Sequence, residues 1–397
     1  MTYPIKKLWE IAKVYAWSSA PQEDKYFIWW KYPFVRTWDL GKYWKTKNLI
    51  KVSDYLNELC LNEKRLTFAK KWTILFPKSW ASILSNHRWI LWMDAYFVSH
   101  LAWVDSWNEI TNQYLYNYLL KIDMVNYCEN PSYPSLKLSA IKEIKVPFPK
   151  LSIQKLIVKK LDLAFKNIDE SIKITKRNLE NIEELNKSVL EEVFQENFIN
   201  LIEIEKTVYF KNWYAFKSKD FNSIKIWLQV IRIWNVLNLG KNPVYINESE
   251  KYNLFKLEKN DIIIWLTWTR QKKDYLFPWI IEENKYYLNQ RVWRIRVKDS
   301  LNYKFLYFYL KTNLFRDKIF KFETWTVNQW NISWKDLINQ KIPLPSLSKQ
   351  KEIVSYLDET FGKNRILKEK YEEKLRDLEE MKQSFLREAF ENEGFVE

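Results

Sequence analysis

The chain repeats itself. The stretch from Pro147 to Phe194 matches the stretch from Pro343 to Phe390 at an offset of 196 residues, without a gap. Pro147, Pro149, Leu151, Ser152, Gln154, Lys155, Ile157, Val158, Leu161, Asp162 and Phe165 recur as Pro343, Pro345, Leu347, Ser348, Gln350, Lys351, Ile353, Val354, Leu357, Asp358 and Phe361. Whatever the first copy builds, the second must build again, so the repeat constrains the fold before any composition does. Upstream the similarity is fainter. Arg36 and Trp38 recur as Arg232 and Trp234 at the same offset, and Trp80 pairs with Trp268 at a shifted one. The organisation is therefore variable, constant, variable, constant.

The constant parts read as long helices. Residues 152–197 contain no Gly, Pro or Trp. Ile157, Leu161, Ala164, Ile168, Ile172, Thr175, Leu179, Ile182, Asn186, Val189 and Val193 follow one another at steps of four and three, the seam of a coiled coil. Ser152 and Ser348 are the expected N-caps. Each helix would run ~45 residues, roughly 65 Å at the usual rise. A lone helix of that kind is unstable in water, so its natural partner is its own repeat.

The variable parts read as mixed α/β. Strand-like runs fall at Thr73–Phe76, Ala95–Val98, Ile262–Ile264 and Val292–Val297, and amphipathic helices at Asn112–Lys121 and Tyr303–Lys311. Regular alternation of strand and helix is absent, which argues against a doubly wound sheet. Charge separates the two kinds of region. The net formal charge is +15, yet residues 152–200 carry −1 and residues 346–397 carry −3. The basic excess lies in the variable parts, +8 in residues 1–151 and +11 in residues 201–345. A basic balance confined to two repeated domains is the electrostatic footprint of a polyanion partner.

Catalytic chemistry finds little material. Two Cys and two His exclude a disulfide framework, a thiolate zinc site and a multi-His metal centre. No nucleophile elbow flanks His87 or His100, and no phosphate-binding glycine loop is present. The segment Asn130-Pro131-Ser132-Tyr133 faintly resembles the Asn-Pro-Pro-Tyr motif of amino-methyltransferases, without a companion cofactor loop. No apolar run approaches the ~20 residues that span a bilayer, and the N-terminus lacks a signal-peptide core. The expectation is a soluble, cytoplasmic, non-catalytic protein that binds neither metal nor cofactor.

What remains is polar and basic clusters at loop-like positions: Lys78 and Ser79 with His87 and Arg88; Thr267, Thr269, Arg270, Gln271, Lys272 and Lys273; Gln290 and Arg291; Asn328 and Gln329. Arg, Lys, Asn and Gln read base edges, and Ser, Thr and Lys position phosphates. These residues, with the repeat-equivalent Arg36 and Arg232, are the candidate DNA contacts.

At this point a family resemblance appears. Lys341-Ile-Pro343-Leu-Pro345-Ser-Leu-Ser348-Lys-Gln350-Lys-Glu-Ile353-Val354, Asn331-Ile-Ser333-Trp334-Lys-Asp-Leu337, Tyr32-Pro33-Phe34-Val35-Arg36-Thr37-Trp38-Asp39-Leu40 and Lys71-Trp72-Thr73-Ile74-Leu75 together resemble the DNA specificity subunit of type I restriction–modification systems. The resemblance implies an α+β fold: two mixed α/β target-recognition domains, 1–146 and 200–342, joined by two long antiparallel helical spacers, 147–199 and 343–397, in an internal pseudo-twofold repeat. It implies a double-stranded DNA partner whose bipartite target is read one half per domain. It also implies docking of two methylation subunits, which carry S-adenosylmethionine, with restriction subunits joining that core. The rivals are a methyltransferase or nuclease carrying its own recognition domains, and an aromatic-rich carbohydrate-binding protein.

One departure from the family pattern is systematic. Trp9, Trp38, Trp72, Trp80, Trp268 and Trp334 stand where that pattern has Gly. The chain holds 4 Gly and 22 Trp, where roughly 7%, about 28 residues, would be Gly in an average chain. The expectation is that most of these Trp are glycines encoded by UGA, a codon that some bacterial lineages read as Gly and a common alternative table reads as Trp. Trp29-Trp30 and Trp265-Leu-Thr-Trp268 are then expected at turns with positive φ.

Overall fold

A computed structural model describes residues 3–16, 20–28, 31–42, 46–78, 83–84, 86–98, 100–128, 130, 135–195, 198, 200–211, 214–223, 228–232, 235, 242–269, 275–326 and 329–396. They form two compact units, Met1–Thr175 with Glu373–Glu397, and Lys176–Glu372. The helices that organise them are α1 (Asn112–Lys121), α2 (Leu151–Gln195), α3 (Tyr303–Lys311), α4 (Asn313–Phe320) and α5 (Leu347–Glu391). The sequence-predicted helices 112–121 and 303–311 are present as α1 and α3, and the two constant segments are the 45-residue helices α2 and α5. Both long helices contribute residues to both units.

In the first unit Ile5–Lys7 pairs antiparallel with Lys145–Pro147. A five-stranded sheet runs in the order Ala12–Tyr15, Leu101–Ser106, Ile74–Pro77, Trp89–Leu91, Asn48–Leu49. A smaller sheet runs Asp54–Leu56, Tyr32–Val35, Ala95–Phe97, Thr67–Ala69, with its middle pair parallel. The second unit repeats this plan. Leu201–Glu203 pairs with Lys341–Pro343. One sheet runs Val208–Lys211, Val292–Val297, Ile262–Trp265, Trp279–Ile280. Another runs Tyr245–Ile246, Leu228–Ile231, Tyr286–Leu288, Lys256–Leu257, again with its middle pair parallel. Four of these strands, at 5–7, 32–35, 201–203 and 228–231, are related by the same 196-residue offset that the sequence shows. The α+β class and the internal repeat are thus both present.

The heptad seam of α2 is buried where the pattern is strictest. Leu161, Ile168, Thr175 and Ile182, each seven residues from the last, are 0%, 5%, 0% and 5% exposed. Thr175 is polar at a seam position, and its hydroxyl donates back to the Ser171 carbonyl at 2.7 Å. Within the second unit Asn364 Nδ2 donates to Asn186 Oδ1 at 2.7 Å, and Lys368 pairs with Glu183 at 3.0 Å. The first partner rises as the second falls, so α2 and α5 run antiparallel there. The expected caps are corrected. Both long helices begin at Leu151 and Leu347, which puts Ser152 and Ser348 inside the first turn. For α5 the capping hydroxyl is that of Ser346, which accepts from the Lys349 N–H at 3.3 Å.

The signature glutamine has a clear structural purpose. Gln154 is fully buried. Its Oε1 accepts from the N–H of Thr111, the N-cap of α1, at 3.0 Å, and its Nε2 donates to the carbonyls of Glu109 at 3.1 Å and Pro149 at 2.9 Å. Gln350, also fully buried, does the same in the second unit. Oε1 accepts from the N–H of Asn302, the N-cap of α3, at 2.7 Å, and Nε2 donates to Ser300 at 3.1 Å and Pro345 at 2.9 Å. One amide side chain satisfies three backbone groups that would otherwise be buried unpaired, and so ties the start of each long helix to a helix of the neighbouring domain.

The far ends of the long helices dock just as specifically. Phe390 of α5 packs edge-on against Tyr114 and Tyr118 of α1, with ring centroids 5.2 and 5.1 Å apart. Phe194 of α2 packs edge-on against Phe305 and Tyr309 of α3, at 5.2 and 5.4 Å. In the first unit Ile157 and Leu161 of α2 share one core with Leu386, Ala389 and Phe390 of α5. In the second, Leu190 and Phe194 of α2 share one core with Ile353, Val354 and Leu357 of α5. Each such fully buried Leu or Phe contributes about 1.5–3 kcal/mol. Glu191 adds a helix-end contact, accepting from the N–H groups of Asn313 and Leu314 at the start of α4. Among the described residues no helix is long and apolar enough to cross a membrane.

Candidate nucleic-acid interface

Arg36 and Arg232 end equivalent strands, Tyr32–Val35 and Leu228–Ile231. The chain turns at each in the same way. The Arg36 N–H donates to Asp39 Oδ2 at 2.9 Å, and the Arg232 N–H donates to Asn235 Oδ1 at 3.3 Å. Asp39 is fully buried and also accepts from the Ser53 N–H at 2.9 Å, which fixes the loop. The guanidiniums differ in environment. Arg36 pairs with Asp54 at 2.5 Å and lies over the rings of Trp38, Phe27 and Phe34 at 4.7, 5.1 and 5.2 Å. Arg232 donates through Nη2 to the Asn242 carbonyl, and partial burial lowers its pKa.

Beside each arginine comes a loop from the parallel neighbour strand. In the first unit the Val98 N–H donates to the Val35 carbonyl at 3.3 Å. That brings exposed His100 to a cavity of about 690 Å³, which Gln22, Arg36, Trp38 and Lys64 also line. In the second unit the Asn289 N–H donates to the Ile231 carbonyl at 3.3 Å. That sets the exposed turn of Gln290 and Arg291, the latter at φ 69°, next to the strand end that carries Arg232. Gln22, Lys64 and His100 were not singled out from the sequence as contacts. They lie far apart in the chain and share no motif, so only the fold brings them together.

The remaining candidates divide. Lys78 is half-buried, and its backbone is held by the His100 carbonyl at 3.1 Å and the Leu136 N–H at 2.8 Å. Arg88 is corrected, because it is only 3% exposed and turns inward. It donates to the His87 carbonyl at 2.9 Å, Asn86 Oδ1 at 2.8 Å and the Ile122 carbonyl at 3.3 Å, with its guanidinium 5.1 Å from the Phe76 ring. Burial pushes its pKa down to about 10. It holds its own loop onto the end of α1 and cannot present itself to DNA. The backbones of Thr267 and Thr269 lie in the strand Thr267–Thr269, which pairs antiparallel with Gln329–Asn331, Thr269 facing Gln329. Two sequence clusters thus meet on one three-stranded sheet completed by Thr324–Thr326. Ser79, Arg270, Gln271, Lys272, Lys273 and Asn328 lie outside the described residues.

His87 is half-buried, its ring 5.6 Å from that of Trp89. Burial first, then the charge of Arg88, lowers its pKa. A base whose folded pKa is depressed contributes full stability above its unfolded pKa, and loses it as pH falls from there toward the folded value. Thermal melts should therefore show the protein less stable at about pH 5.5 than at about pH 7.5, and His87→Gln should shrink that difference. Identical pH profiles for the two proteins would contradict it.

Among the described residues no group of three or more His, Cys, Asp or Glu could hold a metal ion. The site consists of donors, cations and exposed turns on two equivalent edges. That is equipment for contacting an anionic, hydrogen-bonding surface.

The family model for the type I restriction modification DNA specificity domain matches twice, at residues 1–184 and 201–375. The chain belongs to this family. Members resemble it at several distances. Over 151 residues it is 32% identical to the type I restriction enzyme MjaIX specificity subunit of Methanocaldococcus jannaschii. That match covers 37% of this chain and 34% of that protein, so it spans about a third of the relative's length. Two solved structures share the fold over 98% of this chain and 97% of their own. One comes from work on complex assembly and conformational transition of the type I R-M system, with a TM-score of 0.75 at 15% identity. The other is the HsdS subunit from Thermoanaerobacter tengcongensis, with a TM-score of 0.55 at 17% identity.

Proposed function

We propose that this chain is the non-catalytic specificity subunit of a type I restriction–modification complex. Its two recognition domains, 1–146 and 200–342, each read one half of a bipartite double-stranded DNA target. The helical segments 147–199 and 343–397 set the distance between the halves and dock two methylation subunits. Those subunits supply S-adenosylmethionine chemistry, and restriction subunits join the same core. The observation that carries this reading is the duplication itself. Two basic domains, with net charges of +7 and +11, present the same arginine-ended strand with an adjoining loop, while the helical segments 147–199 and 343–397 carry 0 and −3. A single-site DNA enzyme has no need of two such edges.

The segment after Thr269 is the strongest candidate for one half-site, since it carries Arg270, Gln271, Lys272 and Lys273 in succession. Arg270→Ala combined with Lys272→Ala should weaken duplex binding about tenfold or more near physiological salt. The slope of log affinity against log salt should shrink by roughly 2, one for each lost phosphate contact. Fluorescence anisotropy across a salt series measures both. Unchanged affinity with an unchanged slope would remove that segment from the interface.

A further inference from the structure

Trp72 occupies a position that rejects it. Its φ is 78°, in the left-handed region. It is the third residue of a tight turn in which the Thr73 N–H donates to the Lys70 carbonyl at 3.2 Å. A φ near +80° at that place marks a type II turn, which calls for Gly or, second best, Asn. The second unit builds the same turn ahead of the equivalent strand. There the Asp261 N–H donates to the Glu258 carbonyl at 3.0 Å, and the third residue is Asn260 at φ 73°. Ile74–Pro77 follows the first turn and Ile262–Trp265 follows the second. One copy of the repeat thus uses a residue that tolerates the conformation, and the other carries the bulkiest side chain of all. Trp72 gains little there: its ring is 37% exposed and rests on that of Trp92, itself 39% exposed.

Other Trp positions tell the same story by different physics. A buried indole N–H normally finds an acceptor. Trp103 and Trp265 are almost fully buried, yet the Nε1 of each has no hydrogen-bond partner. Trp9, Trp38 and Trp107 leave about half of their surface in solvent. Neither 45-residue helix contains a Trp, although both are rich in other apolar residues. Gly is disfavoured in helix interiors for a reason that Trp lacks, and of the chain's 4 Gly only Gly362 lies in either long helix. The turn expected at Trp265–Trp268 is corrected, since Trp265 ends one strand and Trp268 lies in the next. Trp29 and Trp30 lie outside the described residues.

We propose that residue 72 is glycine in the polypeptide its host makes, encoded by a UGA codon that the host decodes as Gly, and that the other ill-fitting Trp positions share this origin. The Lys70–Thr73 turn is then an ordinary glycine turn. The Trp72–Trp92 pair is not a stacking platform for bases, and the cavity beside Arg36 loses the indole of Trp38 and opens further.

The test reads the gene and the native protein together. Trypsin releases residues 72–78 as one peptide, because Lys71 precedes it and Lys78 ends it. The expected result is a UGA at codon 72 and, by tandem mass spectrometry of protein purified from its host, a peptide that begins with Gly. A UGG codon, or Trp at the head of that peptide, would overturn the proposal. A recombinant chain gives an independent readout. Trp72→Gly should raise the melting temperature above that of both the Trp72 chain and Trp72→Ala. A lower melting temperature for Trp72→Gly than for the Trp72 chain would count against a glycine turn.

Discussion

Replacing Gln350 with Leu should cost the second unit about 3 kcal/mol. The reasoning is a count of stranded groups. Leu fills much of the same space, so cavity formation contributes little. What it removes is the acceptor for the Asn302 N–H and the donor for the Ser300 and Pro345 carbonyls. All three groups sit around a fully buried side chain, where water cannot replace the lost partner. Hydrogen exchange should show the effect locally. The amides at the start of α3, where Asn302 itself caps Lys304 and Phe305 at 2.9 and 3.2 Å, should lose protection first. Gln154→Leu should do the same to the start of α1. Wild-type protection in either variant would mean that the signature glutamine does not join helix to domain.

Phe390→Ala should be comparably severe, costing about 3–4 kcal/mol. Phe390 is 8% exposed and inserts between Tyr114 and Tyr118, two rings of α1 that also bury their hydroxyls in hydrogen bonds. Tyr114 donates to the Pro147 carbonyl at 3.0 Å, and Tyr118 donates to the Lys145 carbonyl at 2.5 Å, so neither ring is free to move in and fill the gap. The last turns of α5 should then fray, leaving polar ties such as Lys121 with Glu391, at 2.8 Å, and Lys160 with the Phe395 carbonyl, at 2.6 Å. Limited proteolysis should cut the variant within the last turns of α5 at protease levels that spare the parent. Phe194→Ala should destabilise the second unit in the same manner, through Phe305 and Tyr309.

The first long helix was legible because a 45-residue stretch without Gly, Pro or Trp, and with apolar residues at steps of four and three, has few other ways to fold, and the second was legible as its repeat. The short helices α1 and α3 were legible for the same reason at smaller scale. The matching pair of domains followed from the 196-residue offset. Other features depend on contacts between residues distant in sequence. Arg88 looks like its neighbours in a polar loop; its burial comes from the Ile122 carbonyl, 34 residues on. The cavity at Arg36 gathers Gln22, Lys64 and His100 from three segments with no common pattern. Gln154 and Gln350 were visible as recurring residues, but two of the three backbone groups each one bonds lie more than 40 residues upstream, and no local pattern points to those.

On the proposed function, two equivalent domains read two separate DNA half-sites. It is tested most directly by expressing the chain with its methylation subunits and mapping methylated adenines in cellular DNA by single-molecule sequencing. Two short half-sites at one fixed spacing are expected. Exchanging residues 1–146 for the corresponding domain of another family member should change one half and leave the other half and the spacing intact. A single contiguous motif, or a change in both halves after that exchange, would contradict it.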